Sequence, residues 1–142
     1  MIVTGANGFL GSYVVAALLQ KGHRVVGIRR KESSIREFDL ILKSELGALY
    51  SKLILNFQWK ELDVLDITAL DEVIENGSTV FHCAAKVAFN SKENDEMLAV
   101  NKEGTANVVN ACLKNNVKQL IHVSSTAALG RTDSANLIDE LT

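Results

Sequence analysis

The residues best suited to chemistry in this 142-residue chain stand at its beginning. Thr4-Gly5-Ala6-Asn7-Gly8-Phe9-Leu10-Gly11 puts a glycine at every third position, directly after the apolar run Met1-Ile2-Val3-Thr4 and ahead of a helical pattern. Gly5 permits a tight turn out of a strand, Gly8 lets the backbone approach a bound group closely, and Gly11 lets the following helix pack tightly. The N–H groups that open that helix, with the positive end of its dipole, suit a pyrophosphate. Gly5, Asn7, Gly8, Phe9, Leu10 and Gly11 are therefore candidate cofactor contacts. The spacing departs from the Gly-x-Gly-x-x-Gly of many dehydrogenases, so the strand before it and the amphipathic helix after it carry the reading.

A second cluster, Arg29-Arg30-Lys31, follows the next apolar run. Enzymes that prefer NAD place an acid at this point to hold the ribose hydroxyls, whereas a guanidinium pairs with the 2′-phosphate of NADP. The cluster predicts a preference for NADP(H), with NAD(H) the alternative. Arg29 occupies the discriminating position and Arg30 is a second contact. The bland alternative is a basic surface turn. Further on, Val123-Ser124-Ser125-Thr126 offers hydroxyls at the end of a strand, where serines also simply cap turns.

These residues need a scaffold, and the remaining sequence supplies one. Short apolar runs alternate with stretches of helical period, as in a parallel sheet covered on both faces. The strands are predicted at Met1 to Thr4, Arg24 to Ile28, Phe57 to Leu62, Thr79 to Cys83 and Gln119 to Val123. Helices are predicted from Phe9 to Lys21, closed by Gly22, and from Ser33 to about Leu53. A short one follows from Ile67 to Glu75, closed by Asn76-Gly77, and a long one from Glu93 to Lys114. Right-handed crossovers then generate an α/β fold, a Rossmann-type doubly wound parallel sheet of order 3-2-1-4-5, ending after the fifth strand. The ligand crevice of such a sheet lies at the carboxyl ends of its strands, where the glycine turn, the arginines and the serines all fall.

With these motifs in order, the chain resembles the extended short-chain dehydrogenase/reductase superfamily, of the NAD-dependent epimerase/dehydratase type. The likeness extends over essentially the whole chain. The Ala127-Ala128-Leu129-Gly130 ending is closer in wording to dihydroflavonol reductases and 3β-hydroxysteroid dehydrogenases than to sugar epimerases. The resemblance implies that Asp63, with Val64, receives the adenine, and that Cys83-Ala84-Ala85 lies beneath the cofactor. It implies that Asn101, in Asn101-Lys102-Glu103-Gly104-Thr105, supports the site. It also implies that Ser125, counted back from Gly130, is the catalytic serine that hydrogen-bonds the substrate oxygen. Asp63 read alone is more often a helix cap or turn residue, and Lys86 more often a solvated lysine.

Proton transfer in the family belongs to a tyrosine with a lysine four residues later, since a phenol of pKa about 10 needs a nearby cation to act at neutral pH. Tyr13 is followed at that distance by Ala17 and Tyr50 by Ile54, so neither qualifies. Residues 1–142 are accordingly expected to form an incomplete NAD(P)-binding Rossmann domain whose substrate-binding part and tyrosine–lysine pair lie elsewhere. Three readings stand: the cofactor-binding portion of a longer oxidoreductase acting on a small molecule, which on its own is inactive; an NADP(H)-sensing module; and a structural protein on a Rossmann scaffold. For the first, a nucleotide-sugar epimerase or dehydratase is the alternative to a carbonyl reductase. The intact glycine turn and Ser125 favour the first.

Composition excludes other classes. Apolar residues make up 47% and charged residues 23%, with a net charge of −2, so there is no electrostatic footprint for nucleic acid. The apolar run from Phe9 to Leu19 is too short to span a bilayer and has no basic residue before it. A cytoplasmic protein is expected, homodimeric when full length, with no membrane or nucleic-acid partner. Cys83 and Cys112, and His23, His82 and His122, are scattered without metal-ligand spacing, so no metal is expected and each His is read as a hydrogen-bonded group near a strand end. The fifth strand is expected to be a sheet edge and the long helix to lack its neighbour, leaving Met97, Val100, Val108 and Val109 partly exposed, so that the chain self-associates or is marginally stable. Asp139 and Glu140 are read as the start of a substrate-facing loop or as solvated acids.

Overall fold

The computed structural model describes residues 1–87 and 93–129. Its elements run β1 (Ile2–Thr4), α1 (Phe9–Gln20), β2 (Val25–Arg29), α2 (Arg36–Leu46), α3 (Tyr50–Leu53), β3 (Phe57–Glu61), α4 (Ile67–Val73), β4 (Thr79–His82), α5 (Asn94–Leu98), α6 (Thr105–Lys114) and β5 (Gln119–His122). The five strands form one parallel sheet in the order β3-β2-β1-β4-β5. This is the doubly wound, Rossmann-type arrangement expected from the alternating pattern, with the order reversing between β1 and β4.

Side-chain alternation along β1 divides the interior. Ile2 joins a core with Ile28, Leu70, Val80 and Val108 beneath α4 and α6, while its neighbour Val3 joins Val15, Leu19, Phe38 and Leu42 beneath α1 and α2. The second core ends in an aromatic cluster in which Phe38 meets Phe57 and Trp59 at centroid distances of 4.9 and 4.5 Å. Both cores lie against the middle of the sheet, which holds the carboxyl ends of β1, β2 and β4 rigidly beside one another.

Two helices differ from expectation. The periodic stretch from Ser33 to Leu53 is not one helix, because Gly47 takes φ +50° and ends α2, after which short 3₁₀ turns flank α3. The long helix is interrupted in its middle, where Ala99–Gly104 is wound as a π-helix between α5 and α6. Such wide turns inside helices occur frequently at functional sites. Val100 and Val108 are buried, contrary to expectation, while Met97 and Val109 are half-buried. The two buried valines pack inward on Val64, Leu70 and Val80, so they need no neighbour beyond β5.

Candidate functional site

A cleft of about 220 Å³ opens at the carboxyl ends of β1, β2, β3 and β4. Its floor is the β1–α1 turn. Gly5 has φ +63°, and a Cβ there would lie 2.7 Å from the Ala84 backbone, so the turn touches the end of β4 and tolerates no side chain. A Cβ on Gly11 would lie 2.2 Å from the Gly5 carbonyl oxygen, so Gly11 packs against the turn itself rather than against the sheet. Gly8 precedes α1 in an extended conformation, and no side chain caps the helix among the described residues. Asn7 lines the cleft and ties the turn to the β2–α2 loop by donating to the Ser34 carbonyl at 3.1 Å. Phe9 and Leu10 are exposed on the first turn of α1 and do not line the cleft with their side chains.

The end of β2 carries two arginines with different surroundings. Arg29 has a side chain only 14% exposed, whose guanidinium pairs with Glu61 on β3 and lies 5.5 Å over the Trp59 ring. Its Nη1 also donates to the carbonyls of Arg30, Lys31 and Ser33 at 3.3, 3.0 and 3.0 Å. Arg29 therefore knits the β2–α2 loop to the sheet. Arg30 is 59% exposed and reaches across the cleft mouth toward Glu96 at 3.8 Å. Both arginines line the cleft.

Beside them, on the neighbouring strand, Asp63 and Val64 follow β3. Asp63 lines the cleft and its Oδ1 accepts the Leu65 N–H at 3.0 Å, so it is at once a turn residue and a wall residue. The segment is pinned from above by Asn107, which donates to the carbonyls of Val64 and Leu65 at 3.2 Å. Gly104 permits this approach, since a Cβ there would stand 2.6 Å from Val64 Cγ2.

The fourth wall is Cys83, Ala84, Ala85 and Lys86. Partial burial pushes the Cys83 thiol above its ordinary pKa. Behind this wall His82 is buried, 2.7 Å from Thr4 Oγ1 and 3.0 Å from Thr105 Oγ1. Desolvation first, and His122 stacked at 5.3 Å second, lower its pKa to about 4. The hydrogen-bonded histidine read near this strand end is thus present, with one partner, Thr4, beside it in the β1–β4 register and the other, Thr105, on α6. Asn101 sits outside the cleft lining, in the π-helical turn. Its side chain accepts from Lys86 N–H and donates to the Lys86 carbonyl, both at 2.8 Å, and so clamps the chain leaving β4. Lys86 is not a solvated lysine: its Nζ lies 2.6 Å from Glu96 and 3.5 Å from Glu93.

Ser125 stands three residues beyond β5, exposed and outside the cleft lining, with its carbonyl accepting the Ala128 N–H at 3.0 Å. Gly130, from which its position is counted, lies outside the described residues, as do Asp139 and Glu140. The structure thus brings Gly5, Asn7, Gly8, Arg29, Arg30, Asp63, Val64, Cys83, Ala84 and Ala85 around one cleft, and leaves Phe9, Leu10, Gly11, Asn101 and Ser125 out of its lining. The side chains that sequence reasoning did not single out are Asn107, which had no local signal, and Glu96, which looks like any helix-surface acid.

The cradle fits a dinucleotide on structural grounds. It offers uncapped amides at a helix start, bare backbone where a Cβ would collide, and a cation at the end of β2. A doubly wound sheet with this turn at its switch point defines a dinucleotide-binding α/β protein, and the chain belongs to the NAD dependent epimerase/dehydratase family, which it matches over residues 1–142. It is 32% identical to dihydroflavonol 4-reductase of Gerbera hybrida over 97% of this chain and 37% of the relative. It is 33% identical to cinnamoyl-CoA reductase 1 of Petunia hybrida over 97% of this chain and 39% of that protein. Among solved structures, a UDP-glucuronic acid 4-epimerase variant of Bacillus cereus in complex with NAD superposes with a TM-score of 0.72 at 26% identity, over 97% of this chain and 44% of that one. The chain thus spans less than half the length of these proteins. Among the described residues no helix is long and apolar enough to cross a membrane.

Proposed function

We propose that this chain is the cofactor-binding portion of an NADP(H)-dependent oxidoreductase that reduces a carbonyl, or oxidises the corresponding alcohol, of a small molecule. The observation that carries the cofactor choice is the end of β2, where exposed Arg30 stands at the cleft mouth in place of an acid. The carbonyl chemistry is supported by relatives whose names are those of reductases. When bound, the nicotinamide supplies or accepts the hydride. The chain's own residues bind and orient: the β1–α1 turn takes the pyrophosphate, Asp63 and Val64 wall the adenine, and Ser125 offers a hydroxyl to the substrate oxygen. The full-length enzyme is read as a cytoplasmic homodimer.

The rival reading is a nucleotide-sugar epimerase or dehydratase, favoured by the likeness to an epimerase solved with NAD. Titrating the protein with NADPH and NADH separately, by nicotinamide fluorescence and calorimetry, decides the cofactor. NADPH binding at least about tenfold tighter, worth roughly 1.4 kcal/mol, is the expected result. Equal affinities would withdraw the NADP assignment and favour the rival, and failure of both to bind would withdraw the cofactor role of this cleft.

A further inference from the structure

We infer that Glu96 tunes the discrimination of this cleft between phosphorylated and unphosphorylated dinucleotides, by competing with the ligand for Arg30. The inference rests on reading the cleft as a dinucleotide site. Of the two arginines at the end of β2, Arg29 is committed: three loop carbonyls and Glu61 occupy its guanidinium. Arg30 is the cation left at the mouth, and it lines both the cleft and the recess next to it formed by the β2–α2 loop and the end of β3. Its ionic partner is Glu96 on α5, at 3.8 Å through Oε1. The other carboxylate oxygen of Glu96 is 2.6 Å from Nζ of Lys86, at the end of β4. One side chain therefore straps together two cations that line opposite sides of the same cleft.

The geometry ranks the two contacts. The bond to Lys86 is short and Lys86 is the less exposed cation, whereas the Arg30 contact is long and Arg30 is mostly exposed. An arriving 2′-phosphate thus exchanges with Glu96 at Arg30, while Glu96 stays on Lys86. Taking up the phosphate costs the Arg30–Glu96 contact, which a 2′-hydroxyl leaves in place, so Glu96 penalises the phosphorylated dinucleotide alone. Exposed ion pairs are weak, which makes the strap a modest bias and not a lock.

Glu96→Gln keeps the shape and a hydrogen-bond acceptor for Lys86 and removes the charge. Titrated with NADPH and NADH, it is expected to bind NADPH about two- to fivefold more tightly, the range of an exposed ion pair, with NADH nearly unchanged. Arg30→Ala is expected to abolish that gain, so that Glu96→Gln has no effect in its background. A NADPH-to-NADH affinity ratio that stays the same or falls in Glu96→Gln would overturn the inference, as would a gain that survives Arg30→Ala. The readout is separable from the cofactor preference proposed above. A wild-type protein that favours neither nucleotide defeats that preference, yet a ratio raised by Glu96→Gln still supports the role of Glu96. Absence of binding by wild type and variant alike overturns both.

Discussion

The hydroxyl of Thr4 lies 2.7 Å from Nδ1 of His82, and the two residues face each other across the β1–β4 ladder. Thr4 Oγ1 also accepts the Ala84 N–H at 3.2 Å. On the other side of the ring, Nε2 of His82 lies 3.0 Å from Thr105 Oγ1, and both hydroxyls can donate or accept to suit the ring. A single file of hydrogen bonds thus joins β1, the end of β4 and the start of α6. It also fixes Ala84 against Gly5, the contact on which the cleft floor depends.

Burial of the ring, and His122 beside it, favour the neutral imidazole, which predicts how stability varies with pH. The pKa of His82 falls to about 4 in the fold, against about 6.5 in the unfolded chain. Between those values the unfolded chain binds more protons, so stability is complete above pH 6.5 and is lost as pH falls toward 4. By linkage the loss amounts to roughly 2 kcal/mol between pH 8 and pH 5. Urea unfolding at the two pH values should show it, and His82→Asn should be less stable at pH 8 but flatter with pH. A wild-type profile as flat as that of His82→Asn would mean that His82 titrates normally.

How much of this was open to reading from residue order differs from one feature to the next. The turn from Thr4 to Gly11 was legible because its demands are local: a positive φ and a bare backbone call for glycine wherever they occur. The strand order was legible because crossover handedness leaves few topologies for five alternating strands. Asn101 was recognisable as a conserved-looking word of a known motif, but its clamp on Lys86 depends on a loop fifteen residues earlier in the chain. The engagement of Arg29 was hidden for the same reason, since Glu61 and Trp59 reach it only through β2–β3 pairing. The break at Gly47 was missed because apolar spacing continues through it, although Leu49 turns out to be exposed.

Gly5 and Gly22 form a natural pair for separating conformational strain from contact. Both have positive φ, +63° and +78°, but a Cβ at Gly22 would meet nothing within 4 Å. Gly22→Ala should cost about 1–2 kcal/mol, the penalty of the left-handed region alone. Gly5→Ala adds collision with backbone, which cannot rotate aside, and should cost about 1–3 kcal/mol more. It should also weaken NADPH binding, while Gly22→Ala leaves binding intact. Equal losses of stability in the two variants, by chemical denaturation, would show that the Gly5–Ala84 contact is not tight.

At Gly104 two effects of opposite sign compete. Alanine in a helix interior is favoured over glycine by about 1 kcal/mol, while forcing a Cβ to 2.6 Å from Val64 Cγ2 should cost about 1–3 kcal/mol. Gly104→Ala is therefore expected to be neutral to destabilising. With Val64→Ala the collision disappears, and adding Gly104→Ala to that background should stabilise by up to about 1 kcal/mol. A double-mutant cycle in which the two changes simply add would place Val64 out of reach of Gly104.

Arg29 can be tested by separating its charge from its shape. A residue that served the cleft as a point charge would be replaced well by lysine. The observed guanidinium instead serves three carbonyls, a carboxylate and a ring face together, a task for a planar fork that an ammonium cannot perform. Arg29→Lys should consequently lose most of what Arg29→Met loses: stability by about 1–3 kcal/mol, from loop carbonyls and Glu61 left without their charged partner. Trp59 is the single tryptophan of the chain and lies directly under the guanidinium, so its emission reports the loss without a label. Both variants should shift that emission to the red as water reaches the ring. Full stability and unchanged Trp59 emission in Arg29→Lys, with Arg29→Met impaired, would show that charge and not the fork is what the β2–α2 loop requires.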